Sequence, residues 1–249
     1  MIWTSSKRLG KKGTEVAAIP ALLVALLCTL FAVFVIRQYV YKPRLPQLFW
    51  SISLVVSALG SLAYGLAIWM EPHSALVFRF YYLFGALWMA PIMGLGSIAL
   101  VSTRKVVLWI AGIVGLLGAI GTVLLFLAPV NRSLLLALSG GAGTGIIQPS
   151  AWLVFLIVLN SFGAIGVVGV ALTSAWMAFR RRSPDRFLYG NFTLGVGVMV
   201  ITAAGSSARL GWPGLFWIIM LVGWIITFMG FVWLTPTLAV RAVNRQAEV

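Results

Sequence analysis

Seven predominantly apolar stretches follow one another along the chain, separated by short polar or basic links. They run over Val16–Ile36, Leu48–Met70, Ala75–Val101, Val106–Pro129, Ser150–Phe179, Phe187–Ala208 and Pro213–Leu234. A helix of about 20 apolar residues covers roughly 30 Å of hydrocarbon, so each stretch is long enough to span a bilayer. No stretch alternates polar and apolar residues with period two, which argues against barrel strands. Backbone groups in hydrocarbon must pair within their own segment, so each span is predicted helical. The pattern predicts an all-α fold, a polytopic membrane helix bundle of about seven transmembrane helices. Residues 1–15 form a basic amino-terminal tail, 16–237 one seven-helix domain, and 238–249 a short cytoplasmic tail.

Within the spans the small and polar residues are patterned. Ser53, Ser57, Ser61 and Gly65 recur every fourth residue of the second span, which keeps them on one slowly turning stripe. Such a stripe lets another helix approach closely and reads as a packing seam, with a polar ligand groove as the other reading. Gly112, Gly115, Gly118 and Gly121, then Gly163, Gly166 and Gly169, recur every third residue and drift around the helix instead. Pro91 lies mid-span and predicts a kink around Leu87–Pro91. Asn160, Asn191, Thr193, Thr202 and Thr227 are the deeper polar residues and are expected to bond across helices.

Composition agrees with a bilayer as solvent. The chain is 61% hydrophobic and 9% charged, against about 25% charged in a soluble domain. The net charge of +14 comes without a basic stripe alternating with polar surface, so no nucleic-acid partner is expected. The charge instead orients the spans. Arg37, Lys42, Arg44, Arg104, Lys105, Arg180, Arg181, Arg182, Arg186, Arg241 and Arg245 fall on one side, against Arg79, Arg132 and Arg209 on the other. Basic short loops stay in the cytoplasm, which places the carboxyl terminus inside and the amino terminus outside. Lys7, Arg8, Lys11 and Lys12 before the first span oppose this arrangement and resemble a signal-peptide leader. That span is longer than a usual signal core and no small-x-small site follows it, so it reads as retained. Trp50, Trp109, Trp176 and Trp233 mark the basic ends, Trp69, Trp152 and Trp212 the opposite ends, and Trp88 and Trp224 the middle.

Candidate chemistry is sparse. Cys28 is the one cysteine and His73 the one histidine, so no disulfide framework, bis-histidine haem or multi-histidine metal site can be built. No lysine lies in a span to hold retinal, and Glu15, Glu71, Asp185 and Glu248 all lie outside the spans, which argues against a proton-coupled path. Neither a catalytic residue set nor a cofactor is expected. A modest outer cluster remains: Glu71, His73, Arg79, Tyr82 and Arg209, with Tyr81 beside them. Arg79 is expected to pair with Glu71 or to grip a lipid phosphate. On the inner side Arg180, Arg181, Arg182 and Arg186 are candidate contacts, although fixing the topology accounts for them as well. Between the fourth and fifth spans, Leu134–Leu138 is expected to lie on the membrane surface and Ser139–Gly145 to be flexible. The latter lacks the Gly-Lys-Ser/Thr ending of a phosphate loop.

Arg79-Phe80-Tyr81-Tyr82-Leu83-Phe84-Gly85, Gly190-Asn191 and Phe228-Met229-Gly230-Phe231 resemble a family of uncharacterised bacterial seven-span integral membrane proteins. The similarity runs from about the second span to the seventh and implies no particular activity. The plan is more distantly similar to the seven-span sensor regions of bacterial histidine kinases, although this chain ends about 15 residues past the last span. Together these readings predict a non-catalytic multi-pass protein of the cell membrane. It is either a sensor-like bundle or a subunit of a larger complex, in contact with lipid and a membrane protein partner. A carrier or facilitator for a small or lipidic substrate is the alternative.

Overall fold

The computed structural model describes residues 2–70, 73–138, 140–210 and 212–235. Glu71, Arg241, Arg245, Glu248 and the 238–249 tail lie outside the described residues, as do the side chains of the basic leader and of Arg209. Among the described residues the regular structure is helical, and seven helices are long and apolar enough to cross a membrane.

The first, α1 (Ile2–Tyr41), continues past the expected Ile36 to the edge of Pro43. Next comes α2 (Leu45–Trp69), with Pro46 in its first turn, where a missing N–H costs nothing. The third span is built from three pieces: α3 (Ala75–Tyr81), a π-helical segment (Tyr82–Trp88) and α4 (Met89–Ile98). A long α5 (Arg104–Leu127) and a single-turn α6 (Arg132–Leu136) follow. The chain then runs through α7 (Ala151–Arg180) and α8 (Asp185–Arg209) to a 3-10 turn (Pro213–Leu215) that leads into α9 (Phe216–Leu234).

The packing order is α1, α2, third span, α7, α8, α9, with α9 returning to α1, so six spans close a ring. The seventh span, α5, lies outside that ring against α7 and the third span. Aromatic side chains fill the ring near both membrane faces. Toward the basic face Phe31 meets Trp50, Trp224, Phe228 and Phe231 at centroid distances of 4.8 to 6.5 Å. Trp224 is fully buried.

Close helix approach depends on glycine, as expected where dispersion and not the hydrophobic effect joins helices. The most extensive contact, α8 on α9, is a seam of Gly190, Gly197, Gly223 and Gly230. A Cβ on Gly223 would sit 2.9 Å from the Ile201 nitrogen. Likewise a Cβ on Gly94 would sit 2.8 Å from the Gly163 Cα, which joins α4 to α7. The three-residue glycine runs divide by position. Gly118, Gly121, Gly163 and Gly166 meet neighbours, while Gly112, Gly115 and Gly169 face open space. A period of three rotates away from any single contact line, which is why each run is only partly used.

Candidate functional site

A second group of aromatic residues, this one with hydrogen-bonding ends, converges at the face that carries the α5–α7 connection. That connection is closed at its neck by Asn131 N–H to the Ile146 carbonyl at 2.8 Å and Gln148 N–H to the Pro129 carbonyl at 2.9 Å. Asn131 caps α6 by accepting from the Leu134 amide. Beyond α6 the chain turns inward through Gly140, Gly141, Gly143 and Gly145, all with positive φ, a region that side chains with a Cβ disfavour. Gly143 lies against the Phe78 ring, where a Cβ would collide.

Of Leu134–Leu138, expected on the membrane surface, Leu134, Leu136 and Ala137 are exposed while Leu135 and Leu138 turn inward. Leu135, Leu138, Ala142, Ile146 and Ile147 are all buried, and Leu135 is the one residue of the short helix that faces inward. The residues between strongly turned glycines form a plug because apolar side chains on both sides of them are drawn into the mouth.

Beneath the plug lies a box of rings from four spans. Tyr64 of α2 meets Tyr81 at 5.0 Å and Trp217 of α9 at 4.6 Å. Phe78 meets Tyr81 and Tyr82 at 5.5 and 5.4 Å, and Tyr82 meets Trp152 of α7 at 5.6 Å. The polar ends of these rings reach up to the loop. Tyr81 Oη donates to the Ala142 carbonyl at 3.3 Å, Tyr82 Oη to Ala142 and Gly143 at 3.4 and 3.3 Å, and Trp217 Nε1 to Gly141 at 3.2 Å. The Tyr64 hydroxyl is buried beside Trp217, whose indole N–H is directed at Gly141.

The other members of the outer cluster do not join this box. Arg79, expected on Glu71 or on lipid, directs its guanidinium at the carboxyl end of α5. It donates to the carbonyls of Leu125 at 2.8 Å, Ala128 at 2.7 Å and Phe126. Nδ1 of His73 donates to the Ala67 carbonyl at 2.8 Å and so serves the end of α2. Glu71 and the Arg209 side chain lie outside the described residues. The sequence pattern singled out Tyr82 and Tyr81 but not Phe78 and Trp152, which pack on Tyr82, nor Tyr64 and Trp217, which pack on Tyr81. The signal was present in the placement of Trp152 and Trp217 near the same ends of their spans.

Below the box the third span departs from α geometry. The Met89 amide reaches back five residues to the Phe84 carbonyl, and Pro91 then offers no N–H at all. The expected disturbance at Leu87–Pro91 thus takes the form of a π-helical segment one turn earlier. Side chains of neighbouring spans complete its hydrogen bonds: Asn160 Nδ2 donates to the Ala86 carbonyl at 2.7 Å and Ser53 Oγ to Met89 at 2.7 Å. Asn191, Thr202 and Thr227, expected to bond across helices, instead bond the carbonyl one turn back in their own helix.

The stripe of Ser53, Ser57, Ser61 and Gly65 is buried along α2. Ser57 Oγ lies 3.4 Å from Cys28 Sγ of α1, and a Cβ on Gly65 would press on Leu22. The inner arginines are exposed. Arg182 takes a left-handed φ of 48° as α7 ends, and Arg186 lies over the Phe187 ring at 5.1 Å. No group of three or more His, Cys, Asp or Glu comes together among the described residues. Comparison with protein-family models, curated proteins and solved structures finds no match for this chain.

Proposed function

We propose that this multi-pass membrane protein is a non-catalytic, sensor-like bundle of the cell membrane, acting alone or as a subunit of a larger membrane complex. One observation carries the reading: the plug of residues 140–147 is held by Tyr81, Tyr82 and Trp217, and Tyr82 is also the first residue of the π-helical segment. A π-helical turn contains one residue more than an α-turn and recurs at functional sites. Displacing the plug removes the hydrogen bonds at the top of that segment, while Ser53 and Asn160 hold its lower part to α2 and α7. A signal at the mouth then passes along the third span to the basic face. The resemblance in plan to seven-span sensor regions points the same way.

Gentle purification followed by mass spectrometry of bound proteins and lipids tests this, with a parallel sample reconstituted into liposomes. The expected result is a copurifying partner that is lost from a Tyr82→Phe, Trp217→Phe variant, in which the plug keeps only one of its aromatic hydrogen-bonding residues. A free monomer that moves a solute across liposomes with saturable kinetics overturns the reading in favour of a carrier.

A further inference from the structure

On the basic face, the α1–α2 link and the α4–α5 link border a cleft of about 520 Å³. Tyr39, Arg44, Gln47, Ser102 and Arg104 supply its polar lining. Two long helices, α2 and α5, begin in this lining. Their N-cap residues, Arg44 and Thr103, make no side-chain cap bond, and neither first turn contains an acidic residue. First-turn amides lack intrahelical partners and carry the positive end of the helix dipole, so both ends favour an anion. The guanidinium groups of Arg44 and Arg104 are exposed, and among the described residues neither makes a hydrogen bond or ion pair.

A separate feature of the lining is the side-chain amide of Gln47. Its Oε1 is buried and has no hydrogen-bond partner. The end of the amide left accessible is therefore the Nε2 donor, which can serve a hydroxyl or a phosphate oxygen.

We propose that this cleft binds a phosphate group carried either by an anionic lipid or by a soluble phosphate. Arg44 and Arg104 supply the charge, because a guanidinium matches two phosphate oxygens at once. The opening turns of α2 and α5 supply neutral donors, and Gln47 completes the set. Exposed Leu100 borders the cleft, where the chain of a bound lipid would continue into the bilayer. Arg180 and Arg181 differ in one respect that decides between local geometry and bulk charge. They sit at the carboxyl end of α7, whose dipole disfavours an anion. The site is on the opposite face from the plugged mouth and does not depend on how that mouth works.

The test titrates the purified full chain in neutral detergent with dioctanoyl phosphatidic acid, dioctanoyl phosphatidylcholine and inorganic phosphate, read by thermal shift and native mass spectrometry. Saturable binding of phosphatidic acid is expected, weaker by about tenfold or more in Arg44→Gln, Arg104→Gln. Arg180→Gln, Arg181→Gln removes the same charge from the same face and should bind like the parent. Ser102→Trp fills the cleft while keeping both arginines; it should lose binding too, and it decides the matter if the double variant fails to fold. Competition by inorganic phosphate identifies a soluble ligand, and indifference to it identifies a lipid headgroup. Equal binding of phosphatidylcholine, equal loss in both arginine pairs, or unchanged binding by Ser102→Trp overturns the proposal.

Discussion

A proline removes the donor for the carbonyl four residues before it, and hydrocarbon offers no water in its place. Pro129 does this to Leu125 at the end of α5, and Arg79 of α3 provides the missing donor. In the five-residue spacing of the π-helical segment it is Ala86 that faces Pro91, and Asn160 answers there. The lone polar residues that stood out as candidate chemistry thus complete helix hydrogen bonding at particular carbonyls, as His73 does at the end of α2. Arg79 is half-buried and contacts three carbonyls, so its removal should be felt. Arg79→Met, which keeps the apolar stem, should destabilise the protein by about 2 kcal/mol. Arg79→Lys, a point charge without the planar fork, should recover part of that. Thermal unfolding in detergent checks the order, and equal midpoints for methionine and the parent would show that the cap contributes nothing.

At the scale of elements, the four-residue serine stripe and the seven-residue glycine spacing do different things. Gly190 and Gly197 against Gly223 and Gly230 bring backbones of α8 and α9 into direct contact. The serines of α2 instead serve both of its neighbours, with Ser57 toward α1 and Ser53 toward the third span. Ser57 is 2% exposed, so there is no room beside it for a longer side chain. Ser57→Ala keeps the small volume, loses only a weak contact with a thiol, and should change stability by less than about 1 kcal/mol. Ser57→Leu should force α1 from α2 and cost about 1–3 kcal/mol or more through overpacking. Equal thermal midpoints for the two variants would contradict a close α1–α2 contact at this residue.

For the molecule as a whole, the ring of six spans with α5 outside it leaves one face plugged and the other basic. By the positive-inside rule the basic face is predicted to be the cytoplasmic one. Thr144 is exposed at the plug and Ser183 lies in the α7–α8 link, so single cysteines there report on the two faces. Cys28 is fully buried and gives little background. An impermeant thiol reagent should label Thr144→Cys in intact cells and spare Ser183→Cys until the membrane is opened. The reverse pattern would invert the bundle, placing the plugged mouth in the cytoplasm and the phosphate cleft outside.

The amino-acid sequence by itself determined the number of spans, their helical state and their ends to within a few residues, except that α1 begins at Ile2, inside the expected tail. Those properties depend on local quantities: the length of an apolar run, the demand that backbone groups pair within it, and the links that interrupt it. The sequence also marked Pro91 and the small residues of α2, because their effects begin on their own helix. Only the tertiary structure decided which glycines meet a neighbour, why Arg79 faces α5, and that residues 140–147 fold into the mouth. Each of those outcomes needs the position of a second helix. A run of Gly and Ala looks mobile on its own, and becomes a plug only when Tyr81, Tyr82 and Trp217 from two distant spans present their donors to its carbonyls. Periodicity is a property of one chain segment, whereas a hydrogen bond between segments requires both ends to be in place.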